Sequence, residues 1–146
     1  MAHSKKMLSE HIAVGQANFI RSTPALIRRM TIYAVKYFKQ ENFRNQGKDV
    51  NPAGRWAPRE KFKKTRRPVL ISEGYGAQSG KMRRSIIGKA RGVEGVVSSN
   101  VSYMQYHQKG TPKMVQRKVL GQSPVLDKVF DKMILKQIVK SYEKAL

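Results

Sequence analysis

The sequence predicts an α+β fold on three observations. An apolar stripe of helical spacing runs through residues 24–43, and a second runs through 124–144. Between them lies a glycine-flanked pair of β-rich segments within 81–101. At 146 residues the length prior is one domain, with 1–22 as a flexible N-terminal arm and 23–146 as the folded unit.

In the arm, Leu8, Ile12, Phe19 and Ile20 favour a short amphipathic helix that Gly15 interrupts. Thr23 is a good N-cap and Pro24 suits the first helical position. Leu26, Ile27, Met30, Tyr33, Ala34, Tyr37 and Phe38 then make the buried stripe of the first helix. Gly47 is its expected stop. Residues 44–80 read as an extended basic loop opened by the turn signature Asn51-Pro52-Ala53-Gly54. Val69-Leu70-Ile71 is a short apolar run suited to a sheet edge. Residues 81–91 lead into a hairpin that turns at Gly92-Val93-Glu94-Gly95 and returns through Val96–Val101. Residues 103–108 make one helical turn ended by Gly110, and Met114–Leu120 is a further strand candidate. Ser123 caps the last helix, with Pro124 at its first position. Val125, Leu126, Val129, Phe130, Met133, Ile134, Ile138, Val139 and Tyr142 form its expected buried stripe. Lys128, Lys132, Lys136, Lys140 and Lys144 line another face.

Thirty Lys and Arg stand against nine Asp and Glu, a formal charge of +21. The excess is spread evenly: residues 1–73 carry 16 basic and 5 acidic residues, and 74–146 carry 14 and 4. Such a chain meets polyanions or acidic protein surfaces, or sits in an assembly that compensates it. The absence of cysteine excludes disulfide frameworks, thiolate zinc sites and cysteine nucleophiles. Three scattered histidines, His3, His11 and His107, argue against a histidine metal site. No apolar run approaches the ~20 residues of a membrane span, and the first residues lack the apolar core of a signal peptide. The expected location is therefore inside a cell or in something assembled there, with no membrane partner.

Candidate chemistry is sparse, and neither an enzymatic activity nor a cofactor is expected. Asp127 and Asp131 are one helical turn apart and read as partners of neighbouring lysines rather than a catalytic pair. His107 lacks an accompanying nucleophile motif. Gly74-Tyr75-Gly76-Ala77-Gln78-Ser79-Gly80 lacks the Lys-Ser/Thr ending of a phosphate-binding loop and reads as a flexible connection. The dense segment Arg55 to Arg67 holds seven basic residues beside Trp56 and Phe62. That composition suits a nucleic-acid backbone with stacked bases, or docking on an acidic protein neighbour.

Four motifs, in order, carry a resemblance. Asn51-Pro52-Ala53-Gly54-Arg55-Trp56-Ala57-Pro58 resembles the Pro-x-Gly-x-x-Trp-x-Pro signature of the phage virion morphogenesis family, the tail-completion proteins of Mu-like phages. Leu70 followed by Ser79-Gly80-Lys81-Met82-Arg83-Arg84-Ser85-Ile86 is similar to the next motif. Tyr103-Met104-Gln105-Tyr106-His107-Gln108-Lys109-Gly110 is similar to the third, and Met114–Ser123 to the last. Met82, Met104 and Val115 stand where the family has Leu, Ala and Pro, and a glycine-rich insert at 74–78 lengthens the linker.

The resemblance covers residues 24–146. It implies long N- and C-terminal helices packed on a small antiparallel sheet, with a long basic loop. It also implies a structural virion protein of the neck, completing the tail and joining it to the head connector as a ring, hexameric by resemblance. The implied partners are other copies of the chain, the connector or adaptor, and the tail tube or terminator. DNA in the channel is a further candidate. The implied location is the virion, after assembly in the host cytoplasm. On this reading the interface residues are Arg55, Trp56, Arg59, Lys63, Lys64, Arg66, Arg67, Tyr103, His107, Gln108 and Arg117. Trp56 is the expected anchor, because buried Trp and Arg dominate interface energetics. The alternatives are a basic nucleic-acid-binding protein and the neighbouring tail-terminator role.

Overall fold

A computed structural model describes residues 2–57 and 80–145, with side chains from Met7 onward. Five helices and one hairpin follow in the order α1 (Ala2–Lys39), α2 (Glu41–Arg44), α3 (Lys81–Arg84), β1 (Ile86–Arg91), β2 (Glu94–Ser99), α4 (Met104–Lys109) and α5 (Pro124–Glu143). The α+β architecture is as expected: two long helices and a small two-stranded antiparallel sheet.

The first helix differs from its expected start. It runs unbroken from Ala2, with Thr23 and Pro24 in its interior, so the backbone has no break between an arm and a body at residue 22. Proline in a helix interior ordinarily costs ~3 kcal/mol, because it removes one N–H and crowds the preceding turn. Side chains hold the join instead. The Ser22 and Thr23 hydroxyls both donate to the Phe19 carbonyl at 2.9 Å. Across the gap, Gln137 of α5 donates from Nε2 to Ser22 Oγ (3.0 Å) and accepts at Oε1 from Arg29 (2.7 Å). Its amide thus spans Pro24 from both sides. Gly15, expected as an interruption, lies beneath the Tyr142 ring, where a Cβ would collide with it.

α5 packs antiparallel on α1. Asn18 donates to the Ser141 carbonyl at 3.3 Å, and Ser22 meets Gln137 three turns from Leu126. Its start is as expected. Ser123 is extended at φ −139°, and its hydroxyl accepts from the Leu126 N–H. The buried stripe is narrower than the sequence suggests. Leu126 is buried and Val129, Phe130, Met133 and Ile134 are half-buried, but Val125, Ile138, Val139 and Tyr142 are exposed. On α1, Tyr33 is likewise exposed. The reason is a shortage of opposing surface: α5 packs mainly on a single helix, which covers only one side of a wide apolar stripe.

The hairpin pairs Ile86 with Ser99 through Arg91 with Glu94 and turns at Gly92-Val93. Gly92 is left-handed at φ +57°, as two-residue hairpin turns favour. Its inner face bears glycine where it crosses α1. A Cβ on Gly88 would lie 2.6 Å from Val35 Cγ2, and one on Gly95 would strike Thr31. The expected lead-in at 81–84 is a helical turn rather than strand. The core joins both layers: Ala34, Tyr37 and Phe38 of α1, Phe43, Val50, Trp56, Met82, Ile86, Met104, Val119 and Leu126. The run Val69–Ile71 and the glycine-rich segment at 74–79 lie outside the described residues.

Candidate functional site

Three of the four motifs meet at one place, and the second contributes Met82 and Ile86 to the core. The strand candidate Met114–Leu120 pairs with no strand among the described residues; one isolated bridge joins Thr111 to Met114. Its backbone is held by one main-chain bond and a set of side chains. Arg117 N donates to the His107 carbonyl (2.8 Å). Lys118 N donates to Asn51 Oδ1 (3.3 Å), and Lys118 O accepts from the Trp56 indole (2.9 Å). Val119 O accepts from Asn42 Nδ2 (2.8 Å). Gln108 completes the clamp. Its Oε1 accepts from Val119 N (2.9 Å) and Leu120 N (3.0 Å), and its Nε2 donates to the Leu120 carbonyl. A side-chain amide carries the same donor and acceptor as a peptide unit, so Gln108 acts here as a missing β-ladder rung.

Each clamp residue is itself fixed. Asn51 closes its own turn, donating from Nδ2 to the Gly54 carbonyl at 2.9 Å. Trp56 N donates to Gln46 O at 2.7 Å, and its ring meets Phe43 edge-on at 5.3 Å. Gly47 sits under the indole at φ +71°, and a Cβ there would collide with the ring. Gly110, at φ +76°, ends α4 against the Gln116 backbone, 3.1 Å from where its Cβ would be. Of these, Asn51, Trp56 and Gly110 are positions the sequence motifs mark, now with a structural cause.

This geometry corrects the expected interface set. Trp56, the expected anchor, is 3% exposed and belongs to the core. Its indole is turned inward to serve the Lys118 carbonyl. Arg117 is also buried, with Nε donating to the Ala57 carbonyl at 2.9 Å. Gln108 is committed to the clamp. His107 is half-buried, its ring edge-on to Tyr103 at 6.4 Å. Arg55 and Tyr103 are exposed and remain available to a partner. Arg59, Lys63, Lys64, Arg66 and Arg67 lie outside the described residues; the chain enters that segment directly from the clamp at Ala57.

A second polar chain links the two long helices. Ser123 donates to the Tyr37 hydroxyl (3.0 Å), which donates to Asp49 Oδ2 (3.2 Å). Burial pushes the Tyr37 phenol above its usual value of 10.0; the Ser123 hydroxyl pulls it down, and nearby Asp49 pushes it further up. Nothing in the sequence pattern marked Asn42 or Gln137, and although Ser123 and Tyr37 were marked as cap and core, their bond to each other was not.

Among the described residues few charges pair with one another. The one ion pair between described residues is Arg44 with Glu41 at 3.3 Å. Asp127 and Asp131 pair with no described lysine, contrary to expectation; Asp127 accepts only from Gln122 Nε2 (3.3 Å). The α5 lysines from Lys128 to Lys144 are all exposed. Among the described residues no cluster of three metal-ligating side chains occurs, and no helix is long and apolar enough to cross a membrane. No family model, curated protein or solved structure matches the chain.

Proposed function

We propose that this chain is a non-catalytic assembly protein of the phage neck, acting as a tail-completion subunit that joins tail to head connector as a ring. The observation that carries the reading is the convergence of the motifs. Three stretches, 51–58, 103–110 and 114–123, each similar to one segment of the virion morphogenesis family, close a single clamp around residues 117–120 through bonds between residues as far apart as 67, and the fourth, 79–86, adds Met82 and Ile86 to the same core. A motif set that builds a fold in this way supports a shared architecture and assigns its residues a structural task. The exposed apolar residues of α1 and α5 support assembly as well, since a chain that works alone rarely leaves so much apolar helix surface uncovered.

On this reading the basic surface docks on an acidic face of the connector or tail tube and steers association. The exposed lysine row of α5 favours a second reading, in which part of that surface faces DNA. Electron microscopy of particles made without this chain tests the main proposal. Full heads lying apart from tails are the expected result, with tail lengths separating terminator from joining roles. Normal infectious particles would overturn it and promote the nucleic-acid reading.

A further inference from the structure

Two incomplete apolar features lie at opposite ends of the α1–α5 pair. At one end, α1 runs on past the end of α5. Gly15 is already level with Tyr142 near the last turn of α5, so Ala2–Val14 project by about 20 Å at the usual helical rise. Leu8 and Ile12, four residues apart, continue the stripe that packs on α5 further along, yet they are 62% and 43% exposed. A helical segment this short is marginal in water without a packed face. At the other end, an open groove of about 270 Å³ lies between α1, the hairpin and α5. Met30, Phe38, Leu126 and Phe130 contribute to its apolar lining. Asp127 also lines it and pairs with no described cation.

We propose that the overhang of α1 docks in this groove of a second copy of the chain. Leu8 and Ile12 enter the apolar floor, and the overhang, basic by sequence in its first turns, brings positive charge toward Asp127, which has no cationic partner among the described residues. A knob at one end and a hole at the other generate a head-to-tail contact, the kind of interface from which rings are built. A two-fold pairing of overhangs would leave the groove empty. The inference rests on the ring reading and specifies its interface.

The natural chain has no cysteine, so engineered thiols report cleanly. Full-length Ile12→Cys and Gln122→Cys are prepared separately and mixed under mild oxidation; both positions are exposed in the single chain. A disulfide-linked dimer that forms in the mixture and in neither protein alone is the expected result. In parallel, Asp127→Lys is expected to reduce the assembled mass in light scattering, and adding Lys5→Glu with Lys6→Glu to restore it. Cross-linking of Ile12→Cys with itself would overturn the proposal in favour of paired overhangs. Assembly by the unaltered chain with no mixed cross-link would overturn this interface while leaving the ring standing. A monomer at every concentration, with no cross-link, would overturn the docking, and the particle microscopy would then judge the neck reading separately.

Discussion

Replacing Gln108 by Ala tests the clamp at its centre. The substitution removes one acceptor shared by two backbone N–H groups and one donor to the Leu120 carbonyl. Val119 is fully buried, so its N–H is left with neither the amide nor water. An unsatisfied buried backbone group costs about 1–3 kcal/mol. Leu120 is half-buried, so water recovers part of its loss, and its two groups add about 1 kcal/mol together. The expected destabilisation is therefore about 3 kcal/mol, a large share of the ~5–15 kcal/mol typical of a domain. For a chain of this size that corresponds to a melting temperature lower by roughly 10 °C. The single tryptophan is a native reporter, because Trp56 donates to the neighbouring Lys118 carbonyl. Urea titration followed by its fluorescence gives the free energy directly. Gln108→Glu keeps the shared acceptor but sets a carboxylate oxygen against the Leu120 carbonyl, so it is expected to recover little. A loss below about 0.5 kcal/mol for Gln108→Ala, within the range of ordinary surface changes, would refute the view that this amide substitutes for a strand.

Gly47→Ala is expected to destabilise by more than the roughly 1 kcal/mol of a left-handed alanine, since its methyl also meets the Trp56 ring; a shifted emission maximum in the folded protein would report the displaced indole. Gln137→Ala removes both bonds across Pro24 and is expected to raise amide exchange around residues 19–28 well before global unfolding; unchanged protection there would show that the helix holds itself. The raised Tyr37 pKa carries a pH signature. The folded state holds this proton more tightly than the unfolded chain, so its contribution is complete below about pH 10 and declines as pH rises through the higher folded value. Tyr37→Phe is expected to flatten that alkaline decline, and identical slopes for the two proteins would reject the assignment. Duplex DNA binding, measured against salt, distinguishes the two uses of the lysine row. Docking on protein predicts little affinity for DNA, whereas a steep loss with salt, relieved by Lys132→Glu with Lys136→Glu, would indicate phosphate contacts.

Local chemistry made much of this molecule legible. Ser123 before Pro124 defines the start of α5, Gly92-Val93 defines the hairpin turn, and Gly110 ends α4; each depends on dihedral preference or a neighbouring hydroxyl, which the sequence contains in full. The basic surplus likewise follows from composition. Tertiary structure alone decided what crosses long separations. Pro24 reads as a helix start because its local preference is for that position, yet α5 brings Gln137 across it and the helix continues. Residues 114–120 read as a strand from their pattern, but a strand is defined by its partner, and among the described residues the partners are the His107 carbonyl and the side chains of Gln108, Asn51, Asn42 and Trp56. Trp56 reads as an interface anchor from its company of arginines, while its indole N–H is turned to a carbonyl 62 residues away. Hydrogen bonds of this kind leave no periodicity, because they join single atoms of distant residues and their geometry is set only when the helices have packed.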